Sequence, residues 1–273
     1  MTAPGAAMAS VWDEVDGTRI HGRVSALAGV ATGPPIVFVH GLGVSTRYME
    51  PTMVILGREH QVVGLDMPGF GRSAGIGYHC TVPQLADAVL HWLDARGIGP
   101  AVFVANSFGC QVVTEIVSRE PQRALGIVLN APTMDRAHRS VLAMIARVFM
   151  DARREPLALA LIVTRDYLRA GPYRIIATLV SALADRIEDK LPRVTIPVSV
   201  VCGARDPLVS VAWGEEVARL VGRDCPDAPG ATLHVVPHIA HALPFDDPET
   251  FAAIIADLLG RVMRALPTAP RHG

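Results

Sequence analysis

Apolar and polar positions along this chain alternate between two rhythms. Six short runs are apolar nearly throughout and rich in Val and Ile: PIVFVH (35–40), QVVGLD (61–66), AVFVAN (101–106), GIVLN (126–130), VSVVCG (198–203) and TLHVVP (232–237). A strand without polar alternation is buried on both faces, as in a parallel sheet covered by helices on each side. Between the runs lie 82–97, 108–121 and 211–222, where apolar residues recur three and four apart and most segments end near Gly or Pro. Strands alternating with such helices predict an α/β doubly wound, mostly parallel sheet. An antiparallel hairpin is predicted earlier, over residues 10 to 27, with Asp16-Gly17 as its turn.

One block breaks the alternation. Residues 133–192 hold no strand-like run and instead carry helical stripes: Val141, Leu142, Ile145, Val148 and Phe149; then Leu157, Leu161 and Ile162; then Ile175, Ile176, Leu179, Val180 and Leu183. Pro197 leads directly back into a strand. The expected organisation is a discontinuous core, 1–132 and 193–273, interrupted by a helical cap, 133–192, over one edge of the sheet.

Composition narrows the function classes. A chain of 273 residues with 50% hydrophobic and 19% charged residues can bury one large core. A net charge of -1 and the absence of any Lys/Arg run point away from nucleic acid and from a membrane partner. The start, MTAPGAAMAS, does not read as a signal peptide. The four cysteines form no CxxC pair, so a disulfide framework or thiolate zinc site is not expected, and a cytoplasmic location is the default. The ends, 1–10 and about 264–273, are expected to fray.

Two serines compete as a nucleophile. GRSAG (71–75) matches G-x-S-x-G and would nominate Ser73, but GLDMPGFGRSAGIGYHC is too rich in glycine to continue as a helix. The same stretch fails as a dinucleotide fingerprint for the same reason. Ser107, in VFVANSFGCQ, lies between a strand and a helix, where the helix N-terminus offers backbone N–H groups to a developing oxyanion. Ala105 stands where a glycine is usual at such an elbow, but it adds only one methyl, and Gly109 keeps the other side bare. The competing reading is a helix N-cap serine.

A serine needs a base and the base needs an orienting carboxylate. Asp206, in GARDPLV, falls just past the end of a strand, where ligands of open α/β sheets gather. His241 falls in the loop between the last strand and the last helix. His238 is the rival base and Asp135 the rival acid. Two oxyanion donors are expected: the amide of Phe108, and that of Leu42, with Gly43 as the alternative, in HGLG (40–43). His40 is read as holding that turn, and Asp246-Asp247 as a cap on the last helix.

These residues resemble the α/β-hydrolase superfamily, specifically its cap-bearing serine hydrolases. HGLG (40–43), DMPGFGRS (66–73), ANSFGC (105–110), GARDPLV (203–209) and HIAHALPFDDPETF (238–251) occur in family order across about residues 30 to 260. The resemblance implies that 66–73 is a structural turn, that the triad is Ser107, Asp206 and His241, and that the chemistry is acyl transfer to water with no metal or organic cofactor. The expected substrate is a small or medium ester with an apolar group, with some of Met134, Met144, Phe149, Met150 and Tyr167 lining its pocket. Arg147, Arg153, Arg154 and Arg165 are expected to be solvated. C–C bond hydrolysis of meta-cleavage-product type, a lactonase or thioesterase role, and a non-catalytic ligand-binding protein that kept the triad remain as alternatives.

Overall fold

The structure, a computed structural model, describes residues 8–26, 31, 33–77 and 80–265. The hairpin is present as β1 (Met8–Val15) and β2 (Thr18–Ser25). Asp16 and Gly17 both have positive φ, 51° and 70°, which matches the twist of a two-residue hairpin turn. Residues 8–10 belong to β1, so the expected fraying does not reach them; 1–7 and 266–273 lie outside the described residues.

The chain continues through β3 (Ile36–Val39), α1 (Glu50–Leu56), β4 (Val62–Leu65), α2 (Val82–Ala95), β5 (Ala101–Asn106), α3 (Gly109–Arg119) and β6 (Ala124–Asn130). The helical insertion follows, with α4 (Val141–Ala152), α5 (Leu157–Ala170), α6 (Pro172–Ala184) and the short α7 (Ile187–Lys190). The core resumes with β7 (Val198–Gly203), α8 (Val211–Leu220), β8 (Ala231–Val236), the short α9 (Leu243–Asp246) and α10 (Pro248–Ala265).

The eight strands form one sheet in the order β1-β2-β4-β3-β5-β6-β7-β8, antiparallel at the first two pairings and parallel thereafter. Alternate residues of the central strands serve opposite layers. Val37, Val39, Phe103 and Ala105 join one core with α2, α3 and α8, while Ile36, Phe38, Val102 and Val104 join the other with α1 and α10. This double burial is why the strands read as continuous apolar runs. Local signals fix the helix starts: Thr81 and Gln84 close a capping box on α2, and Ser140 and Ser210 cap α4 and α8.

The insertion is fastened to the C-terminal end of the sheet by polar contacts rather than by a new strand. Gln111 Nε2 donates to Ala182 O at 2.8 Å, Arg174 donates to Gly77 O at 3.1 Å, and Ser45 Oγ donates to the buried Asp166 carboxylate at 2.5 Å.

Candidate active site

β5 ends at Asn106, and the chain turns into α3 through Ser107, whose φ is 58°. A non-glycine residue in the left-handed region costs about 1–2 kcal/mol, and such strain concentrates where a side chain must be presented. The close approach explains the small neighbours. A Cβ on Gly109 would sit 2.4 Å from Val39 O, and one on Gly41 would sit 3.2 Å from Ser107 Cβ. Ser107 does not act as a cap: the N-cap position of α3 is Phe108, and no side chain caps the helix. The amides of Leu42, Gly43 and Phe108 make no hydrogen bond among the described residues.

A buried polar chain fixes the elbow from below. Asn106 and Asn130 pair in register at the ends of β5 and β6, and Asn130 Nδ2 donates to Asn106 Oδ1. Asn106 Nδ2 donates to the Tyr48 hydroxyl at 2.8 Å, which also accepts from Gly41 N–H at 3.2 Å. One phenol thereby ties the residue before Ser107 to the HGLG loop. The only sequence signal for this is an asparagine closing each of two neighbouring strands. His40 holds the same loop: Nδ1 donates to Gly41 O at 2.7 Å and Nε2 accepts from Met67 N–H at 2.9 Å. Burial pushes its pKa down, which suits a neutral, turn-holding imidazole.

His241 and Asp206 meet. His241 Nδ1 donates to Asp206 Oδ2 at 2.8 Å. The other carboxylate oxygen, Oδ1, accepts from Leu208 N–H at 2.7 Å and Val209 N–H at 3.1 Å, so Asp206 is held at both ends. The two loops can approach because Gly203 is bare; a Cβ there would lie 2.3 Å from Ala240 O. Arg205 N–H donates to Ile239 O at 3.0 Å and completes the seam. Ser107 Oγ and His241 make no hydrogen bond in this structure, and bonds between nucleophile and base often close only with substrate present. His238 is exposed, and Asp135 is spent on Ala137 N–H at 2.9 Å and Ser210 Oγ at 2.6 Å.

The turn carrying Ser73 is built on Asp66. Its carboxylate accepts from His21 Nδ1 at 2.8 Å, Thr46 N–H at 2.9 Å, Thr46 Oγ1 at 2.6 Å and Arg72 N–H at 3.0 Å. Burial opposes the charge, but these donors outweigh it and hold the carboxyl far below its usual range. Ser73 Oγ donates to Asp66 O at 2.5 Å and accepts from His21 N–H at 2.9 Å, so its hydroxyl is committed to the turn.

Two further carboxyls, Asp151 and Glu155, act on His241, and sequence reasoning missed them; Asp246, read as a cap, joins these two. Asp151 at the end of α4, Glu155 just after it and Asp246 lie close enough to influence one another, and both Glu155 oxygens are buried without a hydrogen-bond partner among the described residues. Burial raises the pKa of both Asp151 and Glu155; the Asp206 charge raises Asp151 further, and Asp151 and Asp246 raise Glu155 further. Asp246 is pushed up to about 6 by burial and by Asp151. Only Asp247 caps α10, accepting from Thr250 N–H at 3.0 Å, so the expectation of a capping pair holds for one of the two. Burial alone would lower the pKa of His241, but Asp206, Asp151 and Glu155 outweigh it and raise it to about 9. No group of three His, Cys, Asp or Glu among the described residues could hold a metal ion.

The insertion closes the site from above. The Tyr167 ring covers Gly43, whose φ is 78° and whose added Cβ would lie 2.7 Å from the ring. Arg147 donates to Pro207 O, and Arg154 donates to Arg205 O at 2.7 Å. Arg147, expected to be solvated, is instead half-buried on the loop that carries Asp206, while Arg153, Arg154 and Arg165 are exposed as expected.

The sequence model of the Alpha/beta hydrolase family matches residues 36–254, which take in the strand-helix elbow, the insertion and the His241 loop. The chain belongs to the alpha/beta hydrolase family. The chain is 24% identical over 115 residues to the (E)-2-((N-methylformamido)methylene)succinate hydrolase of Acinetobacter baylyi, covering 42% of this chain and 44% of that one. It spans less than half the length of three curated relatives, 44%, 33% and 44%. In fold it resembles a thermophilic esterase from Thermogutta terrifontis, with a TM-score of 0.75 at 20% identity over 93% of this chain and 99% of the other. The enol-lactonase from Burkholderia xenovorans LB400 also gives 0.75 at 20% identity, over 92% and 100%. No helix among the described residues is long and apolar enough to cross a membrane.

Proposed function

We propose that this hydrolase is a serine esterase that cleaves a small or medium apolar carboxylic ester through an acyl-enzyme. The observation that carries the reading is the pairing of a strained Ser107, φ 58°, with a His241–Asp206 hydrogen bond at the same end of the sheet. In this reading His241 Nε2 takes the Ser107 proton as Oγ attacks the ester carbonyl. The amides of Phe108 and of Leu42 or Gly43 receive the oxyanion. His241 then gives its proton to the departing alkoxide, leaving the acyl group on Ser107. Water, deprotonated by the same imidazole, cleaves that ester and restores the serine. Asp206 holds the Nδ1–H tautomer and stabilises the imidazolium. The discontinuous core with residues 133–192 as a cap follows from the same arrangement: the cap supplies Tyr167 above Gly43 and Asp151 beside His241.

The test is labelling by a fluorophosphonate, followed by p-nitrophenyl esters of rising chain length. Labelling at Ser107 that disappears in Ser107→Ala and His241→Ala, with turnover of the esters, supports the reading. A folded protein that neither labels nor turns over overturns it in favour of a binding protein. Labelling with selective turnover of a dienone-type diketone or a lactone moves the assignment to that bond.

A further inference from the structure

The three longer helices of the insertion are apolar on two sides. Inward, Met144, Leu159 and Leu179 are buried. Outward, α5 leaves Leu157, Leu161 and Leu168 exposed at 85%, 73% and 79%, and α4 adds the exposed Leu142 and Phe149. Leucines scattered singly over a surface need no explanation, but three exposed leucines at helical spacing along one helix form an apolar stripe open to a partner.

That face is also cationic. Between residues 141 and 184 there are six arginines and three acids; Arg147, Arg154 and Arg174 reach core carbonyls, which leaves Arg153, Arg165 and Arg169 to the outside. The acids are all turned away from it: Asp166 is buried on Ser45, and Asp151 and Glu155 face His241. Arg165 and Arg169 lie four residues apart among the α5 leucines and join Arg72 around an open groove that includes Trp12. None of these three guanidinium groups has a hydrogen bond or ion pair among the described residues. Trp12 is half-exposed at the same groove, with Arg19 stacked 4.2 Å above its ring.

A second copy of the chain would bring another arginine-rich face against this one, and a free anion in the groove would leave the leucines unused. Leucine interleaved with unpaired arginine, with a tryptophan at the margin, is the composition of a surface that lies on anionic lipid. We infer that the outer face of the insertion docks on an anionic bilayer, with Arg72, Arg165 and Arg169 on lipid phosphates and the leucines of α5 in the acyl boundary. The expectation of no membrane partner rested on the lack of a basic run. Here the charges are spaced along a helix and joined by a loop residue from elsewhere in the chain. Docking is independent of the serine esterase reading.

The experiment is co-sedimentation with vesicles of phosphatidylcholine alone and of equimolar phosphatidylcholine and phosphatidylglycerol, at low and high salt. Trp12 fluorescence gives a second readout, because Trp92 and Trp213 are buried. Binding to the anionic vesicles, weakened by salt and accompanied by a blue shift, is expected. Arg165→Glu with Arg169→Glu should weaken it by about tenfold or more. Leu157→Ser with Leu161→Ser and Leu168→Ser should weaken it comparably, with melting temperature and fluorophosphonate labelling unchanged in both variants. Four results would overturn the inference: no binding to anionic vesicles, binding indifferent to both variants, inorganic phosphate bound in the groove without vesicle binding, or a lipid-free dimer lost in the leucine variant.

Discussion

Ser107, His241 and Asp206 carry unequal shares of the proposed chemistry, and single substitutions separate them. Ser107→Ala should lower kcat by about 10⁴–10⁶, and Asp206→Asn by about 10⁴ through the wrong imidazole tautomer, with thermal melts unchanged. The carboxyls around His241 add a pH signature. The base must be neutral to act, and its pKa is raised to about 9, so kcat/KM should climb as pH rises toward that value. Asp151→Asn removes one charge that stabilises the imidazolium, so the acid limb should shift to lower pH and activity at pH 7 should increase. An unchanged pH-rate profile would show that Asp151 does not act on His241. Cys110 offers no rival nucleophile, since burial pushes its thiol well above the ordinary range.

Among the elements, the turns set the tolerances. Gly109→Ala would push a methyl into Val39 O and His40 O, both main-chain atoms that cannot swing aside. It should cost about 1–3 kcal/mol, read as a Tm several degrees lower. Asp66→Ala would strand His21, Arg23 and Thr46 around an empty acceptor and should cost about 3–5 kcal/mol. Because the Asp66 carboxyl is depressed, its contribution is fully present above the unfolded value of about 4 and is lost as pH falls toward the folded one. Melts from pH 6 downward should therefore converge between the parent and Asp66→Ala.

The strands were legible because each is buried on two faces, which leaves a run such as AVFVAN with no polar alternation. The short α1 was not, since EPTMVIL offers too few residues for a helical period to show. The triad candidates were legible as ordered motifs at strand ends. Tyr48, Asp151, Glu155 and Asp166 were not, because each acts through a partner brought near only by the fold, and a lone acid on an amphipathic helix looks like its solvated side.

At the scale of the whole molecule, the insertion reaches two loops of the core. Tyr167 covers Gly43 and Asp166 accepts from Ser45 just after the HGLG loop, while Arg147 and Arg154 reach the loop of Asp206. Replacing both arginines by Gln should lower kcat severalfold while Tm barely moves, measured by steady-state kinetics beside thermal melts.

The two arginine contacts have a temporal consequence. In the proposed reaction, any swing of α4 and the residues just after it that admits an ester must let go of Pro207 O and Arg205 O, and with them the backbone that aims Asp206. On that reading admission and reaction occupy separate moments: an open molecule would load but not fire, and the nucleophile would be armed only after the door has shut.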